Sequence, residues 1–318
     1  MSATGPAIRV ALAVAVRSLP REAGLAYEPK FDGHRLVIRR TAEDVVLQAR
    51  SGRIVTGAFP DLAAAARRLP AGTVLDGEVV VWHAGRTDFA LVQRRAAAAT
   101  STRAAVLAQS LPASYAAFDV LELAGVDVRG RPYERRRALL VDLLLPLGPP
   151  LQPVPMTTDP ELAETWYETL PASGIEGLVV KRLDQAYPTG RRVWRKLRHT
   201  DVRDAAVVGY TGTPRRPLAL VLVPAGTEDD APLVSSPLSA GLRAELVAAL
   251  AARGTAGEAA GGEAAAGAAG GSAPTATIVA IGFGELPFRP LDPPLAAEIR
   301  QASTRHPPPE VLRLRTDL

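Results

Sequence analysis

The chain has 318 residues, enough for two domains each with its own core, and carries a net charge of +4 with a pI near 9.7. It has no cysteine, which excludes disulfides, thiolate zinc sites and cysteine nucleophiles. Its four histidines (His34, His83, His199, His306) show no metal-ligand spacing, no apolar run approaches a membrane span, and the mild basic excess is compatible with a polyanionic partner.

Residues Met1 to Gly24 read as a leader that wraps onto the first domain. Its apolar piece, Val10 to Val16, lies between Arg9 and Arg17 without the basic start of a signal peptide, so an intracellular protein is expected. Ala-, Arg-, Gly- and Pro-rich usage points to a GC-rich bacterial source. Strands follow at Leu25–Glu28, His34–Arg40 and Val45–Arg50. Asp32-Gly33 between the first two is a turn signal, which puts Lys30 at a strand end where a turn aims it into a pocket. Pro60–Leu69 reads as a helix stopped by Pro70. Thr73–Trp82 is a β-branched strand interrupted by Asp76-Gly77-Glu78, with one carboxylate pointing off it. A short helix at Asp88–Arg95 leads to helix and loop up to Ser110, a strand at Ala113–Leu123, and helices at Tyr133–Leu144 and Pro160–Leu170. Trp166 and Tyr167 on the last helix read as core. Ile175–Arg182 and Arg191–Arg198 are the next extended segments.

After His199 the character changes. Short strands at Asp204–Tyr210 and Leu218–Val223, a helix at Gly241–Ala252 and a strand at Thr275–Phe283 suggest a small β domain of barrel type. Residues 254–273 are nearly all Ala, Gly and Glu and are expected to be a disordered insertion.

Lysine usage singles out one stretch. Only Lys30, Lys181 and Lys196 are lysines; the other 34 of the 37 basic residues are arginines. Arginine stays protonated and cannot be a nucleophile, whereas a lysine amine can lose its proton in a suitable site. Lys30 lies within Glu28-Pro29-Lys30-Phe31-Asp32-Gly33-His34-Arg35. An ordinary hairpin with a solvated lysine and a covalent lysine are both open on this segment alone.

Lys30-Phe31-Asp32-Gly33 resembles the K-x-D-G motif of the covalent nucleotidyltransferases, and the longer string most resembles the small bacterial ATP-dependent DNA ligases. The resemblance implies an α+β fold: an ATP-grasp-like nucleotidyltransferase (adenylation) domain with antiparallel sheets over residues 1–200, then a small OB-fold β-barrel domain over 201–318. It implies that Lys30 attacks the α-phosphate of ATP to give a lysyl-AMP, with Mg²⁺ or Mn²⁺ assisting. By the same resemblance Glu28 lies beside the adenine, Gly33 takes a backbone conformation closed to other residues, and Arg35 contacts phosphates. Arg50 matches a second motif in which Ala49 replaces the usual serine; a solvated hairpin end is the rival reading, the more so for Arg53. Glu78 matches the ribose-contacting glutamate and shares the metal with Glu176, which opens the Glu-Gly motif. Phe118 matches the aromatic that stacks on the purine, though aromatics in strands are more often core. Lys181 ends the Glu-Gly motif, with a solvated strand end as its rival reading. Lys196 and Arg198 match a Lys-x-Lys pair that grips the α-phosphate, with arginine for the second lysine. Arg191 or Arg192 is a further phosphate candidate. Arg313 to Asp317 matches the last motif, with Arg315 toward the nucleotide and Leu318 in place of its lysine.

The expected activity is sealing of nicks in duplex DNA by a two-domain, monomeric, cytoplasmic enzyme at the bacterial nucleoid, with no membrane partner. An RNA ligase or capping-type guanylyltransferase keeps the lysine and changes the substrate. A nucleic-acid-binding scaffold with a decayed site is the non-enzymatic reading.

Overall fold

The computed structural model describes residues 7–98, 100–225, 232–260, 276–280, 284–302 and 308–315. They fall into two compact units, residues 1–199 and 200–318.

The first unit runs β1 (Leu12–Ala15), β2 (Leu25–Phe31), β3 (His34–Arg40), β4 (Val45–Ala49), α1 (Pro60–Ala66), β5 (Thr73–His83), β6 (Arg86–Thr87), α2 (Phe89–Ala96) and α3 (Ser101–Ser110). It continues with β7 (Ala113–Leu123), β8 (Val126–Asp127), α4 (Tyr133–Leu144), β9 (Leu151–Pro153), α5 (Pro160–Thr169), β10 (Ile175–Arg182) and β11 (Arg192–Arg198). One sheet has the order β1-β11-β10-β2, and the other β4-β3-β5-β7-β8 with β6 on β5 and β9 on β7. All pairings are antiparallel except β1 with β11 and β7 with β9.

Strand alternation sorts the second sheet's side chains. Leu36, Ile38, Leu75 and Val79 point into the larger core, where Leu62 of α1 and Leu140 of α4 cover them. Val37, Val74 and Leu121 point the other way and pack on Trp194 of β11, on Tyr187 and on Val10 and Ala11. This thin layer joins the two sheets, and the cavity described below opens beside it. Buried charge stitches the helices on: Arg95 of α2 is fully buried, reaching Asp61 at 2.6 and 3.0 Å and the carbonyl of Leu111 at 2.6 Å.

Three expectations change here. Asp32-Gly33 is not a hairpin turn, because β2 and β3 belong to different sheets; the pair is a corner from one sheet to the other. Gly33 is not in the left-handed region; a Cβ there would lie 2.1 Å from the carbonyl oxygen of Val79, so the corner needs glycine for closeness rather than for φ. Asp76-Gly77-Glu78 does not break its strand, since β5 runs through it with Asp76 and Glu78 on one face.

The second unit contains β12 (Thr200–Thr213), β13 (Arg216–Pro224), β14 (Leu233–Val234), α6 (Ala240–Ala260), β15 (Ala276–Ala280), β16 (Gly284–Ala302) and β17 (Glu310–Arg315). The sheet order is β14-β13-β12-β16-β15, with β17 also on β16. β16 pairs with β15 along its first residues and with β12 and β17 along its last, so one long strand carries the sheet around a bend. Leu246 of α6 packs on Leu220, Leu222, Ile299 and Val311. The curled antiparallel sheet with its helix fits an OB-like fold. The segment expected to be disordered begins otherwise: residues 254–260 continue α6, and 261–273 lie outside the described residues.

Candidate active site

Lys30 stands one residue before the end of β2 and faces a cavity of about 560 Å³ in the first unit. Across the ladder its partner is Gly177 of β10, so Glu176 arrives beside it. Gly177 has φ +142°, and a Cβ on it would sit 2.1 Å from the Leu197 carbonyl oxygen. Only glycine lets β10 lie this close to β11 at the residue next to Glu176. A Gly177→Ala chain is expected to lose about 2–4 kcal/mol of stability, read as a lowered urea midpoint.

Glu176 is 2% exposed and sits between two cations: Lys30 Nζ pairs with Oε2, and Arg198 Nε lies 2.7 Å from Oε1. Lys196 lines the same cavity; burial, then the charges of Arg198 and Lys30, hold its amine below the ordinary lysine range. The cavity end around Lys30 thus gathers Lys30, Lys196 and Arg198, a density of positive charge suited to a triphosphate.

Arg35 and Glu78 face each other across β3 and β5. Arg35 was expected on phosphates. It lines the cavity, and its Nε and Nη2 hold Asp76 at 2.8 and 2.5 Å while its guanidinium lies 4.7 Å from the Phe118 ring centroid. Burial works against its charge, but Asp76 more than offsets this and holds the guanidinium above its ordinary range. Tyr187 completes the knot, donating to Asp76 Oδ2 at 2.5 Å and accepting from the Ala11 amide at 2.9 Å.

Glu78 lines the cavity, and no described side chain donates a hydrogen bond to it. Burial pushes its carboxyl up to about 7, against the pull of Lys30 and Arg35. The unfolded carboxyl, near 4.5, loses its proton first as pH rises, while the folded one keeps it to about 7. Stability contributed at this position therefore falls across that window. Without metal and nucleotide, Glu78→Gln is expected to match wild type at pH 4.5. At pH 8 it should be more stable by about 1–2 kcal/mol, less than the full shift because the side chain reaches solvent. Melting curves at the two pH values check this.

At the other end of the cavity stand Glu28, Phe118, Lys181 and Trp194. Glu28 is 2% exposed; Lys181 Nζ is 2.7 Å from its Oε2, and the Tyr133 hydroxyl donates to its Oε1. The solvated strand end considered for Lys181 is excluded, since its side chain is only 1% exposed. Phe118 and Trp194 meet in a T-shaped contact with centroids 5.9 Å apart.

The rim carries Arg50, Arg53 and Arg192. Arg191 is exposed and does not line the cavity; its neighbour Arg192, the first residue of β11, is also exposed but does line it. Arg315 belongs to the second unit, where it pairs with Asp204 at 3.1 Å and Glu298 at 3.6 Å; residues 316–318 lie outside the described residues.

Sequence reasoning missed Asp76, Tyr133, Tyr187, Trp194 and His34. His34 stacks on Phe89 with centroids 5.6 Å apart, and its Nε2 is buried without a partner. A signal for Asp76 existed: an acid amid Val, Leu and Val with an arginine to pair it. The tyrosines had none, as their partners lie over a hundred residues away in the chain.

Among the described residues no cluster of three or more acidic, histidine or cysteine side chains could cage a metal. A hard divalent cation that keeps its waters needs one or two carboxylates plus substrate phosphates. Glu78 fits that mode. Glu176, expected as a metal ligand, is here the counter-ion of Lys30 and Arg198 and would have to release them.

Solved DNA ligases share this architecture. The ligase domain of Mycobacterium tuberculosis LigD matches with TM-score 0.53 at 23% identity, covering 98% of this chain and 96% of that one. A Lig E DNA ligase matches with TM-score 0.60 at 16% identity, covering 96% and 99%. The fold is thus the nucleotidyltransferase fold of DNA ligases, of α+β content with antiparallel sheets, followed by an OB-like sheet. Residues 11–198 match the ATP-dependent DNA ligase domain, and the chain belongs to that family. It is 38% identical over 206 residues to DNA ligase C2 of Mycolicibacterium smegmatis, covering 64% of this chain and 57% of that protein. It is 37% identical over 210 residues to DNA ligase C of Mycobacterium tuberculosis, covering 64% and 58%. The chain therefore spans a little over half the length of these curated relatives. No helix among the described residues is long and apolar enough to cross a membrane.

Proposed function

We propose that this chain seals nicks in duplex DNA at the expense of ATP. The observation that carries the reading is Lys30 on the cavity wall, paired with Glu176, with Lys196 and Arg198 beside it. The Lys30 amine forms a nitrogen–phosphorus bond to the α-phosphate, and the bond to pyrophosphate breaks. The amine must shed a proton first, and Glu176, in contact with Nζ, is the acceptor at hand. Lys196 and Arg198 neutralise charge that builds on the α-phosphate oxygens. Phe118 offers a face to the base and Glu28 an acceptor to its edge. A divalent cation, held by Glu78 and the phosphates and by Glu176 once Lys30 is released, would add charge neutralisation. The AMP then passes to a 5′-phosphate, freeing Lys30, and a 3′-hydroxyl displaces it as the phosphodiester forms.

The functional division is residues 1–200 for adenylation and 201–318 for the OB-fold domain, where Arg315 would act on the nucleotide. Arg50 and Arg192 at the rim suit phosphates of the nick. The protein would work as a monomer in the bacterial cytoplasm at the nucleoid.

A duplex labelled at the 5′-phosphate of a nick tests this, with ATP and Mg²⁺ present. Conversion to full-length strand is the expected result; label that stays on the short strand, or sealing confined to RNA, overturns it. Grip through phosphates also predicts that sealing at sub-saturating DNA falls at least about tenfold between 50 and 200 mM salt. Yield independent of salt would contradict it.

A further inference from the structure

We propose that Lys181 is a positioning residue that fixes the base specificity of the cavity by tying Glu28 to the strand of Phe118. The inference rests on reading the cavity as an adenylation site and adds to it.

Lys181 is 2% exposed, and its ammonium has partners on every side. Nζ lies 2.7 Å from Glu28 Oε2 and donates to the carbonyl oxygen of Phe118 at 2.8 Å. The rings of Trp194, Tyr133 and Phe118 surround it at 4.3, 4.6 and 5.0 Å from their centroids. Tyr133 donates to the other oxygen of Glu28. Each carboxylate oxygen thus receives one donor from behind, and the head group cannot turn. An ionised carboxylate has about four acceptor sites, so one lone pair on each oxygen remains for a ligand.

The consequence is chemical. A fixed carboxylate backed by an ammonium can only accept. It suits the exocyclic amine of adenine, a donor, and opposes the 6-oxo group of guanine, an acceptor. Without Lys181 the Glu28 head group loses one of the two donors that hold it and is free to turn, so the fixed acceptor is no longer presented to the base edge. Lys181 thus keeps the site reading one base. The same ammonium fixes the backbone of Phe118, so the stacking face and the edge reader keep their mutual register. Arginine does not substitute: the cage fits a compact point charge, and a planar fork of five donors would leave several unsatisfied among the rings. A chain that uses arginine at 34 of 37 basic positions keeps lysine here.

The test is covalent labelling with α-labelled ATP and with α-labelled GTP, measuring rate against nucleotide concentration. Wild type, Lys181→Met, Lys181→Arg and Glu28→Gln/Lys181→Met are compared, with melting curves for each. Lys181→Met is expected to raise KM for ATP at least about tenfold with a smaller change in the saturating rate, and to narrow the ATP-to-GTP preference by roughly 10²-fold. Lys181→Arg should not restore the preference. The double variant leaves no buried lone charge; it should melt near wild type yet stay unselective. A folded Lys181→Met or double variant with an unchanged ATP-to-GTP ratio overturns the proposal alone. A wild type that takes label from neither nucleotide overturns the adenylation reading beneath it.

Discussion

Incubated with α-labelled ATP and a divalent cation, the wild-type chain is expected to keep its label through denaturing electrophoresis. Lys30→Arg should take up at least about 10³-fold less. The substitution is chosen because arginine can keep the ion pair with Glu176, and with it the local fold, while its guanidinium stays protonated and cannot attack phosphorus. A melting temperature close to wild type would separate lost chemistry from lost structure. The wild-type label should be lost in acid and survive in alkali, as a nitrogen–phosphorus bond does and a phosphate ester does not. Full labelling of Lys30→Arg, or label mapping to Lys181 or Lys196, would refute the assignment.

The largest expected loss of stability lies behind the site rather than in it. Asp119 on β7 and Arg136 on α4 are both 1% exposed. Arg136 holds the carboxylate with Nε at 2.7 Å and Nη2 at 3.0 Å, and Nη1 donates to the carbonyl of Gln185 at 2.9 Å. Asp119→Ala leaves that guanidinium buried without its counter-charge and should cost about 3–5 kcal/mol, seen as a lower urea midpoint. Replacing both partners with apolar residues of similar volume should recover most of it. Since Asp119 follows Phe118, the single variant should also weaken nucleotide binding. A loss under about 1 kcal/mol would mean that water reaches the pair and that it does not fasten the helix to the sheet.

Where the apolar pattern was strong, element limits were legible residue by residue. His34–Arg40, Ala113–Leu123, Tyr133–Leu144 and Ile175–Arg182 are strands and a helix with those same bounds. Each has one face in a core and a glycine, proline or turn beside it. The motif residues Glu28, Lys30, Phe118 and Lys196 do share one cavity, because each sits on a strand whose register is set by a buried face. What stayed hidden is what alternation does not encode. It does not say which sheet a strand joins, so the corner at Asp32-Gly33 looked like a hairpin. It says nothing of partners: neither Asp76 against Arg35 nor the buried cage around Lys181, for which a solvated strand end was the rival reading, can be read from it. The strand Leu12–Ala15 was also hidden, since four apolar residues carry too little period to read.

That short strand matters for handling the protein. β1 lies along β11, with Ala15 opposite Lys196, and Ala11 is tied to Tyr187. A version trimmed to begin near Leu25, just before the lysine segment, would strip the hem from the first sheet. β11 would then become a bare border with open amides and carbonyls, ready to zip onto another molecule. Clumping on storage, and slack in the very strand that carries Lys196 and Arg198, would follow from a cut that touches no motif at all.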